Sequence, residues 1–239
     1  MQLPSGYVDY DRGNFRVIAP RWELDEMVAL LTAPDRDRPV QAAVHGGRGW
    51  ARRVVLPGGT AVFLRKYLRG GLPRLLVRDV FILRPERPIR ELVVTEAARA
   101  AGCPVPHVLA VAIEEALVGY RGWIVTEALE GVRPLIDVYA ERDERARVAL
   151  MKEVGAGIRK LHAAGIYHVD LTGYNVLVDA TDRILFVDFD RSFQGPPDSG
   201  RWARAGRHRF WRSMAKLTAA RGVALPAASI EWLAEGYRR

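Results

Sequence analysis

The sequence has a single cysteine, Cys103, and lacks any long apolar run. One cysteine excludes a disulfide framework and a zinc site built from several cysteines, and it is typical of a reducing cytosol. A membrane-spanning helix needs about 18 consecutive apolar residues, and no stretch reaches that length. Residues 1–11 lack the basic and apolar regions of a secretory signal. We therefore expect a protein that is soluble or peripheral to a membrane.

Lysine is also scarce, because only four of the 36 basic residues are lysine and the others are arginine. With 28 acidic residues, the formal net charge is +8. A guanidinium group binds phosphate or carboxylate through two parallel hydrogen bonds, so this charge favours an anionic partner. That partner would be a nucleic acid, an anionic membrane surface or a phosphorylated substrate, unless the arginines only reflect coding bias and a solvated surface.

The first half of the chain has the pattern of an antiparallel sheet. Residues 1–39 are mixed in character, with a short helical pattern at residues 22–31. Short apolar runs between glycine and proline then predict several strands and one helix. The strands cover residues 40–44, 52–56, 60–67, 108–114 and 120–126, a glycine-rich turn covers residues 45–49, and the helix covers residues 86–101.

After Glu127 the pattern becomes mostly helical. A long amphipathic helix is expected to begin after Asp143, whose carboxylate suits the N-cap position. Two short strands at residues 176–178 and 184–187 form a hairpin, and residues 201–221 predict a basic helix. A sheet followed by helices indicates an α+β fold.

The residues that carry chemistry surround that hairpin. His168 and Asp170 are followed by Asn175, and Asp188 and Phe189 come after the second strand. Protein kinases carry His-x-Asp-Leu with a following asparagine, and then Asp-Phe-Gly, in the same order. Asp170 is the candidate catalytic residue that takes the proton of a substrate hydroxyl, and Asn175 and Asp188 offer hard oxygen ligands for Mg²⁺. His168 is expected to be a structural histidine bonded to the backbone near Asp188.

A second group of residues is expected to bind ATP. Arg65 stands where kinases carry a phosphate-binding lysine, and Lys66 points to the opposite face of the strand, so we favour Arg65 for the α- and β-phosphates. Glu91 is its expected ion-pair partner, with Glu96 as the alternative. The glycine turn either brings backbone N–H groups to the phosphates or is only a hairpin turn. Glu127 and Leu129 lie in a segment with the pattern of a hinge between two lobes, where backbone groups would contact adenine. The ATP-binding candidates are therefore Gly46, Gly47, Gly49, Arg65, Lys66, Glu91, Glu127 and Leu129.

These motifs give the chain a resemblance to a known family. It resembles the lipopolysaccharide kinases of the protein-kinase-like fold, and within them the kinases that act on 3-deoxy-D-manno-octulosonic acid (Kdo). The most specific part is Asp-Phe-Asp-Arg at residues 188–191. The other residues that carry the resemblance are 47–49, 63–67, 69–72, 90–92, 104–106, 167–171 and Asn175.

The resemblance implies a bilobal fold in which residues 1–39 pack on an antiparallel N-lobe of residues 40–128, followed by a shortened, mostly helical C-lobe of residues 129–239. It implies ATP- and Mg²⁺-dependent phosphorylation of the 4-hydroxyl of the Kdo residue in a Kdo-lipid A precursor. It also implies that the protein acts while bound peripherally to the cytoplasmic face of a bacterial inner membrane. The alternatives are a kinase of heptose or another small molecule, and a pseudokinase scaffold.

Departures from the wider kinase pattern narrow the substrate class. Val169 replaces the arginine of His-Arg-Asp, so control by an activation-loop phosphate is not expected. Asp190 replaces the glycine of Asp-Phe-Gly and lacks its backbone freedom. No Ala-Pro-Glu motif follows Asp188. A glycolipid or small molecule is therefore expected as substrate rather than a protein.

The basic segment of residues 201–221 is expected to bind an anionic surface. Residues 201–221 contain no acidic residue and interleave aromatic residues with arginine, as do helices that lie on anionic membranes. Arg191, Arg204, Arg207 and Arg212 are the candidate contacts with substrate or membrane, although a core helix with a basic polar face has the same pattern. Nucleic acid is not expected as a partner, because no recognised binding module accompanies the charge.

Overall fold

The computed structural model describes residues 2–33, 50–68, 79–82 and 86–238. The predicted strand at residues 40–44, the glycine turn and residues 69–72 lie outside the described residues. The chain divides into two compact units. The first comprises Met1–Glu96 and His107–Ala128, and the second comprises Ala97–Pro106 and Leu129–Arg239. Residues 97–106, which the expected division placed in the N-lobe, thus cluster with the second unit, where the Pro104 carbonyl accepts the N–H of Phe186.

The first unit is built on a six-stranded antiparallel sheet in the order β1-β2-β5-β6-β4-β3. The strands are β1 (Tyr7–Arg12), β2 (Phe15–Pro20), β3 (Trp50–Val55), β4 (Ala61–Lys66), β5 (Val108–Glu115) and β6 (Tyr120–Glu127). The last four correspond to strands that the sequence predicts. The first six residues of β5 are all buried, because this central strand is covered on both faces.

Two helices, α1 (Leu24–Thr32) and α2 (Arg87–Ala100), supply the covering layers. Side chains alternate along β2, so Val17 points to one face of the sheet and Ile18 to the other. Leu31 of α1 packs in the same core as Val17. Leu92 of α2 packs in the same core as Ile18. The sheet therefore has a separate apolar core on each face.

The N-terminal segment forms a strand pair that the sequence pattern did not predict. Strand β2 pairs with β5, and β1 lies at the edge of the sheet. Strand β1 is rich in charged residues, as is common at sheet edges, and its Asp9 pairs with Arg16 of β2 at 2.5 Å. Residues 7–20, part of a segment expected only to pack on the sheet, therefore extend it as well.

The second unit is mostly helical. Its helices are α3 (Leu135–Glu141), α4 (Glu144–Ala163), α5 (Gly200–Ala220) and α6 (Ser229–Arg238). Short strands connect them: β7 (Arg133–Pro134), β8 (Ile166–Tyr167), β9 (Val176–Val178), β10 (Ile184–Phe186) and β11 (Phe193–Gln194). The predicted N-cap of α4 is confirmed, because the Asp143 carboxylate accepts the N–H of Ala146 at 2.8 Å. Within the described residues, no helix is both long enough and apolar enough to cross a membrane.

Helices α4 and α6 approach each other closely through two glycines. A Cβ atom on Gly155 would lie 2.2 Å from the carbonyl oxygen of Leu233. A Cβ atom on Gly236 would lie 1.9 Å from the carbonyl oxygen of Lys152. Both distances are far below van der Waals contact, so this helix pair requires glycine at both positions.

Candidate active site

The loop after β8 brings Asp170 and Asn175 together. The side-chain amide of Asn175 donates to the backbone carbonyl of Asp170 at 2.8 Å. The backbone N–H of Asn175 donates to the carbonyl of Thr172 at 3.1 Å, which closes the loop into a turn. The Asp170 side chain is 56% exposed, so a hydroxyl group from solution can reach its carboxylate.

The β9–β10 hairpin returns the chain to the same place. Phe186 pairs with Val176, and one step further the N–H of Val187 donates to the carbonyl of Asn175 at 3.0 Å. Asp188 follows at once, with a φ of 64° in the left-handed region. Because the register is fixed up to Val187, the hairpin sets Asp188 beside Asn175, as the spacing of the two motifs predicts.

A second strand pair ties the two motif segments to each other. Strand β8, which precedes Asp170, pairs with β11, which follows Asp188. The N–H of Val169 also donates to the hydroxyl of Ser192 at 3.3 Å. Arg191, in the last position of the Asp-Phe-Asp-Arg motif, has a φ of 65° and an exposed side chain.

His168 has the structural role that the sequence predicts. Its Nε2 lies 2.9 Å from the carbonyl oxygen of Val187, and its ring packs on Phe189 with 4.6 Å between the ring centres. Burial lowers the pKa of His168, so the neutral imidazole donates from Nε2 to Val187. Its buried Nδ1 has no hydrogen-bond partner in the described part of the chain. This histidine therefore fixes the loop that carries Asp170 against the segment that carries Asp188.

The donor set at this end of the hairpin fits Mg²⁺. The amide nitrogen of Asn175 is bonded to the Asp170 carbonyl, which leaves the amide oxygen as the atom suited to a cation. With the Asp188 carboxylate this gives two hard oxygen donors, the kind that Mg²⁺ prefers. The described residues contain no cluster of three or more histidine, cysteine, aspartate or glutamate side chains suited to a metal. Magnesium ions in kinase sites usually take their remaining ligands from phosphate and water.

In the first unit, the expected ion pair between Arg65 and Glu91 is present. Nη2 of Arg65 lies 2.6 Å from Oε1 of Glu91, whose side chain is only 4% exposed. The other carboxylate oxygen of Glu91 accepts a hydrogen bond from the hydroxyl of Tyr67. The sequence pattern did not predict this role for Tyr67. Glu96, the alternative partner, instead accepts the N–H of Val108 at 2.8 Å.

Lys66 faces the opposite side of β4. Its Nζ lies 2.8 Å from Asp79 and 5.1 Å from the centre of the Trp123 ring. The expected alternation between Arg65 and Lys66 is therefore present, and the cation beside Glu91 is Arg65.

The remaining ATP-binding candidates occupy different places. Gly46, Gly47 and Gly49 lie outside the described residues. Glu127 ends β6, where its N–H donates to the carbonyl of His107 and its side chain accepts the N–H of the same residue. Leu129 is the first residue of the second unit after β6.

Helix α5 lies against the loop that carries Asp170. Nη1 of Arg209, a residue of the predicted basic helix that the sequence did not place at the site, lies 3.2 Å from Oδ1 of Asp170. Of the cations proposed from the sequence, Arg204 and Arg212 are exposed, whereas Arg207 is half-buried with its guanidinium 4.2 Å from the centre of the Tyr237 ring. No local spacing rule connects residue 209 to residue 170, because their contact depends on how α5 packs.

A sheet-based unit, a helical unit and the arrangement of Asp170, Asn175 and Asp188 define the protein-kinase-like class of phosphotransferases. Residues 37–237 match the model of the lipopolysaccharide kinase (Kdo/WaaP) family. The chain belongs to this family, and the resemblance drawn from its motifs is confirmed.

Curated relatives agree with the family assignment. A 3-deoxy-D-manno-octulosonic acid kinase from Xanthomonas euvesicatoria pv. vesicatoria is 35% identical over 213 residues, which are 86% of this chain and 82% of that protein. A kinase of the same name from Stenotrophomonas maltophilia is 34% identical over 219 residues, which are 89% of this chain and 85% of that protein. Among solved structures, a MAP kinase from Leishmania major has a TM-score of 0.47 and 17% identity, covering 90% of this chain and 65% of that chain.

Proposed function

We propose that this protein transfers the γ-phosphoryl group of ATP to the 4-hydroxyl of the Kdo residue in a Kdo-lipid A precursor, a step of lipopolysaccharide core biosynthesis. The observation that carries the proposal is the loop in which Asp170 is held beside Asn175 and Asp188. Family membership and the names of the curated relatives support Kdo as the acceptor sugar.

In the proposed reaction, Asp170 accepts a hydrogen bond from the acceptor hydroxyl and then takes its proton. The hydroxyl oxygen attacks the γ-phosphorus and forms a new P–O bond to the sugar. The bond between the γ-phosphorus and the β–γ bridging oxygen breaks, and ADP leaves with that electron pair. The 56% exposure of the Asp170 side chain suits a residue that must meet an incoming hydroxyl.

Asn175 and Asp188 would hold Mg²⁺, which when bound neutralises negative charge on the phosphates. Arg65 of the first unit would bind the α- and β-phosphates in place of the usual lysine. The guanidinium is permanently charged and presents its N–H groups in a planar fork, and Glu91 and Tyr67 form a buried support behind it.

The test is a transfer assay with purified protein, ATP labelled at the γ-phosphate and Mg²⁺. One reaction contains a Kdo-lipid A precursor, and a parallel reaction contains a heptosylated acceptor whose Kdo is already phosphorylated. Label on Kdo supports the proposal. Label on heptose alone would show a heptose kinase instead of a Kdo kinase. Transfer to neither acceptor would refute both activities.

We propose in addition that the protein works peripherally at the cytoplasmic face of a bacterial inner membrane. The exposed Arg204 and Arg212 on α5, a helix without a single acidic residue, support this proposal. Clustered basic side chains next to aromatic residues bind anionic lipid surfaces through charge and through partial insertion.

A further inference from the structure

Helix α5 is fixed to the loop of the proposed catalytic base by more than one contact. Besides the 3.2 Å contact between Arg209 and Asp170, the N–H of Gly173 donates to the hydroxyl of Ser213 at 3.3 Å. A Cβ atom on Gly173 would lie 2.7 Å from the sulfur of Met214, so loop and helix are in close contact there. The position of Arg209 beside Asp170 is therefore set by packing of the helix and not only by the ion pair.

Arg209 begins a basic stripe on α5. Arg212 and Lys216 follow it at intervals of three and four residues, which places all three on one side of the helix. All three side chains are exposed, and α5 contains no acidic residue. Within the described part of the chain, neither Arg212 nor Lys216 makes an ion pair. The surface that leads away from Asp170 along α5 is therefore positive, which favours an anionic acceptor.

The chemistry of the proposed acceptor matches this arrangement. Kdo is an acid, so it carries a carboxylate at neutral pH, attached to ring carbon 2. Because carbon 3 lacks a hydroxyl, only a methylene group separates carbon 2 from carbon 4, which bears the hydroxyl to be phosphorylated. A guanidinium group has five N–H donors, and the contact with Asp170 uses one nitrogen of Arg209. The carboxylate and the nearby 4-hydroxyl of the sugar thus match Arg209 and Asp170, which are themselves in contact.

We infer that Arg209 is a specificity-determining residue that binds the carboxylate of the sugar-acid acceptor while contacting Asp170, so that the neighbouring hydroxyl lies beside the catalytic carboxylate. This inference rests on the proposed function. It assigns to Arg209 the selection of an acidic sugar over neutral sugars, since a neutral sugar leaves the guanidinium without its carboxylate partner.

The test crosses a protein variant with an acceptor variant. Wild type and Arg209→Gln are each assayed with the native acceptor and with an acceptor whose Kdo carboxylate is converted to the neutral amide. We expect each single change to lower kcat/KM by about 10- to 100-fold, the usual effect of losing a hydrogen bond to a charged group. Because both changes remove the same contact, we expect the double change to cost little more than either one. Arg209→Lys, which keeps the charge but loses the fork, should recover part of the loss.

The control is Arg142→Gln. Arg142 forms an ion pair with Asp182 at 2.6 Å and with nearly the same exposure, 42% and 52%, as the 44% and 56% of Arg209 and Asp170. It should leave kcat/KM for both acceptors unchanged. Losses that multiply in the double change, or an unchanged kcat/KM in Arg209→Gln, would overturn the inference while leaving the proposed function intact.

A binding measurement separates the inference from the proposed function. Calorimetric titration of the same four combinations without ATP measures acceptor affinity and does not require transfer. If wild type transfers no phosphate to Kdo, the proposed function fails, and the binding cycle still decides the role of Arg209. If loss of the Kdo carboxylate weakens binding only when Arg209 is present, the inference is supported. If the affinity changes neither on loss of the carboxylate nor on loss of the Arg209 guanidinium, the inference is refuted.

Discussion

The guanidinium of Arg65 lies 2.6 Å from one carboxylate oxygen of Glu91, while Tyr67 donates to the other. This triad joins β4 to α2 within the first unit. The next residue, Lys66, is bound on the opposite face of the strand by Asp79. Strand alternation thus separates two adjacent cations into different surroundings, and Arg65 is the one held by the helix glutamate.

We expect Arg65→Met to raise KM for ATP by about 10- to 100-fold, because a charge-assisted contact with phosphate is lost. Arg65→Lys should recover much of the affinity. KM for ATP is measured at saturating acceptor, with Arg16→Gln as the control, since it breaks the exposed ion pair with Asp9 in the same unit. A raised KM in Lys66→Met together with a normal KM in Arg65→Met would reverse the assignment.

Asp170→Asn is expected to lower kcat by about 10²- to 10⁴-fold, the usual contribution of a positioned proton acceptor. The side chain is 56% exposed, so the thermal unfolding midpoint should change little. The matched control is Asp182→Asn, which removes a carboxylate of 52% exposure from an arginine ion pair in the same unit. Wild-type rates in Asp170→Asn would exclude it as the proton acceptor.

Local geometry explains which parts of the site could be predicted from the sequence. One turn bonds Asn175 to the backbone of Asp170, and the β9–β10 hairpin brings Asp188 beside Asn175, so residue spacing fixes this part of the site. Arg209 could not be predicted, because it lies 39 residues from Asp170 and reaches it only through packing of α5.

The fold likewise has strands that could be predicted from the sequence and strands that could not. The β3–β4 and β5–β6 hairpins have apolar runs bounded by turn residues and are recognisable locally. Strand β2 pairs with β5, so that Phe15 lies opposite Glu114, and such a non-local pairing has no local signal. Strand β1 is a polar edge strand, and its alternation is too weak to distinguish it from a loop.

Membrane association is expected to depend on the exposed face of α5. Replacing Arg204, Arg207 and Arg212 with glutamine should weaken sedimentation with anionic vesicles, since each basic residue near such a surface contributes about 1 kcal/mol. Arg207 packs on Tyr237, so the pair Arg204→Gln and Arg212→Gln should account for most of the effect. Sedimentation is compared at low and high salt, and neutral vesicles give the background. Equal sedimentation of wild type and variant would discard the membrane role of this helix.

The close crossing of α4 and α6 gives a prediction about stability, for which Gly206 of α5 is the comparison position. Gly236→Ala should lower the free energy of unfolding by about 1–3 kcal/mol or more, because its Cβ would overlap the Lys152 carbonyl. Gly206→Ala, inside α5, should be neutral or stabilise the protein by up to about 1 kcal/mol, because a Cβ there meets only His162 at 3.5 Å. Urea unfolding of both variants measures the difference, and a stabilising Gly236→Ala would contradict the close crossing.

The pH dependence of stability is expected to report on His162, a buried residue near the end of α4. Burial lowers the pKa of His162 from 6.5 to about 4, and the positive charges of Arg207 and Arg159 add to the effect while Asp198 opposes it. The unfolded chain takes up a proton below about pH 6.5, whereas the folded protein resists it until about pH 4. This contribution to stability is therefore complete above pH 6.5 and is lost as the pH falls toward 4, by up to about 3 kcal/mol.

Two variants separate titration of the His162 imidazole from its hydrogen bond. His162→Gln removes the titrating group, so its free energy of unfolding should fall less than that of wild type between pH 7 and pH 4.5. Tyr237→Phe removes the 2.9 Å hydrogen bond between Nδ1 of His162 and the tyrosine hydroxyl but keeps the imidazole. It should be less stable at both pH values and keep the wild-type pH dependence.

Because His168 also has a lowered pKa and is present in all three proteins, only the difference between them reports on His162. An identical loss of stability in wild type and His162→Gln would show that protonation of His162 does not oppose folding.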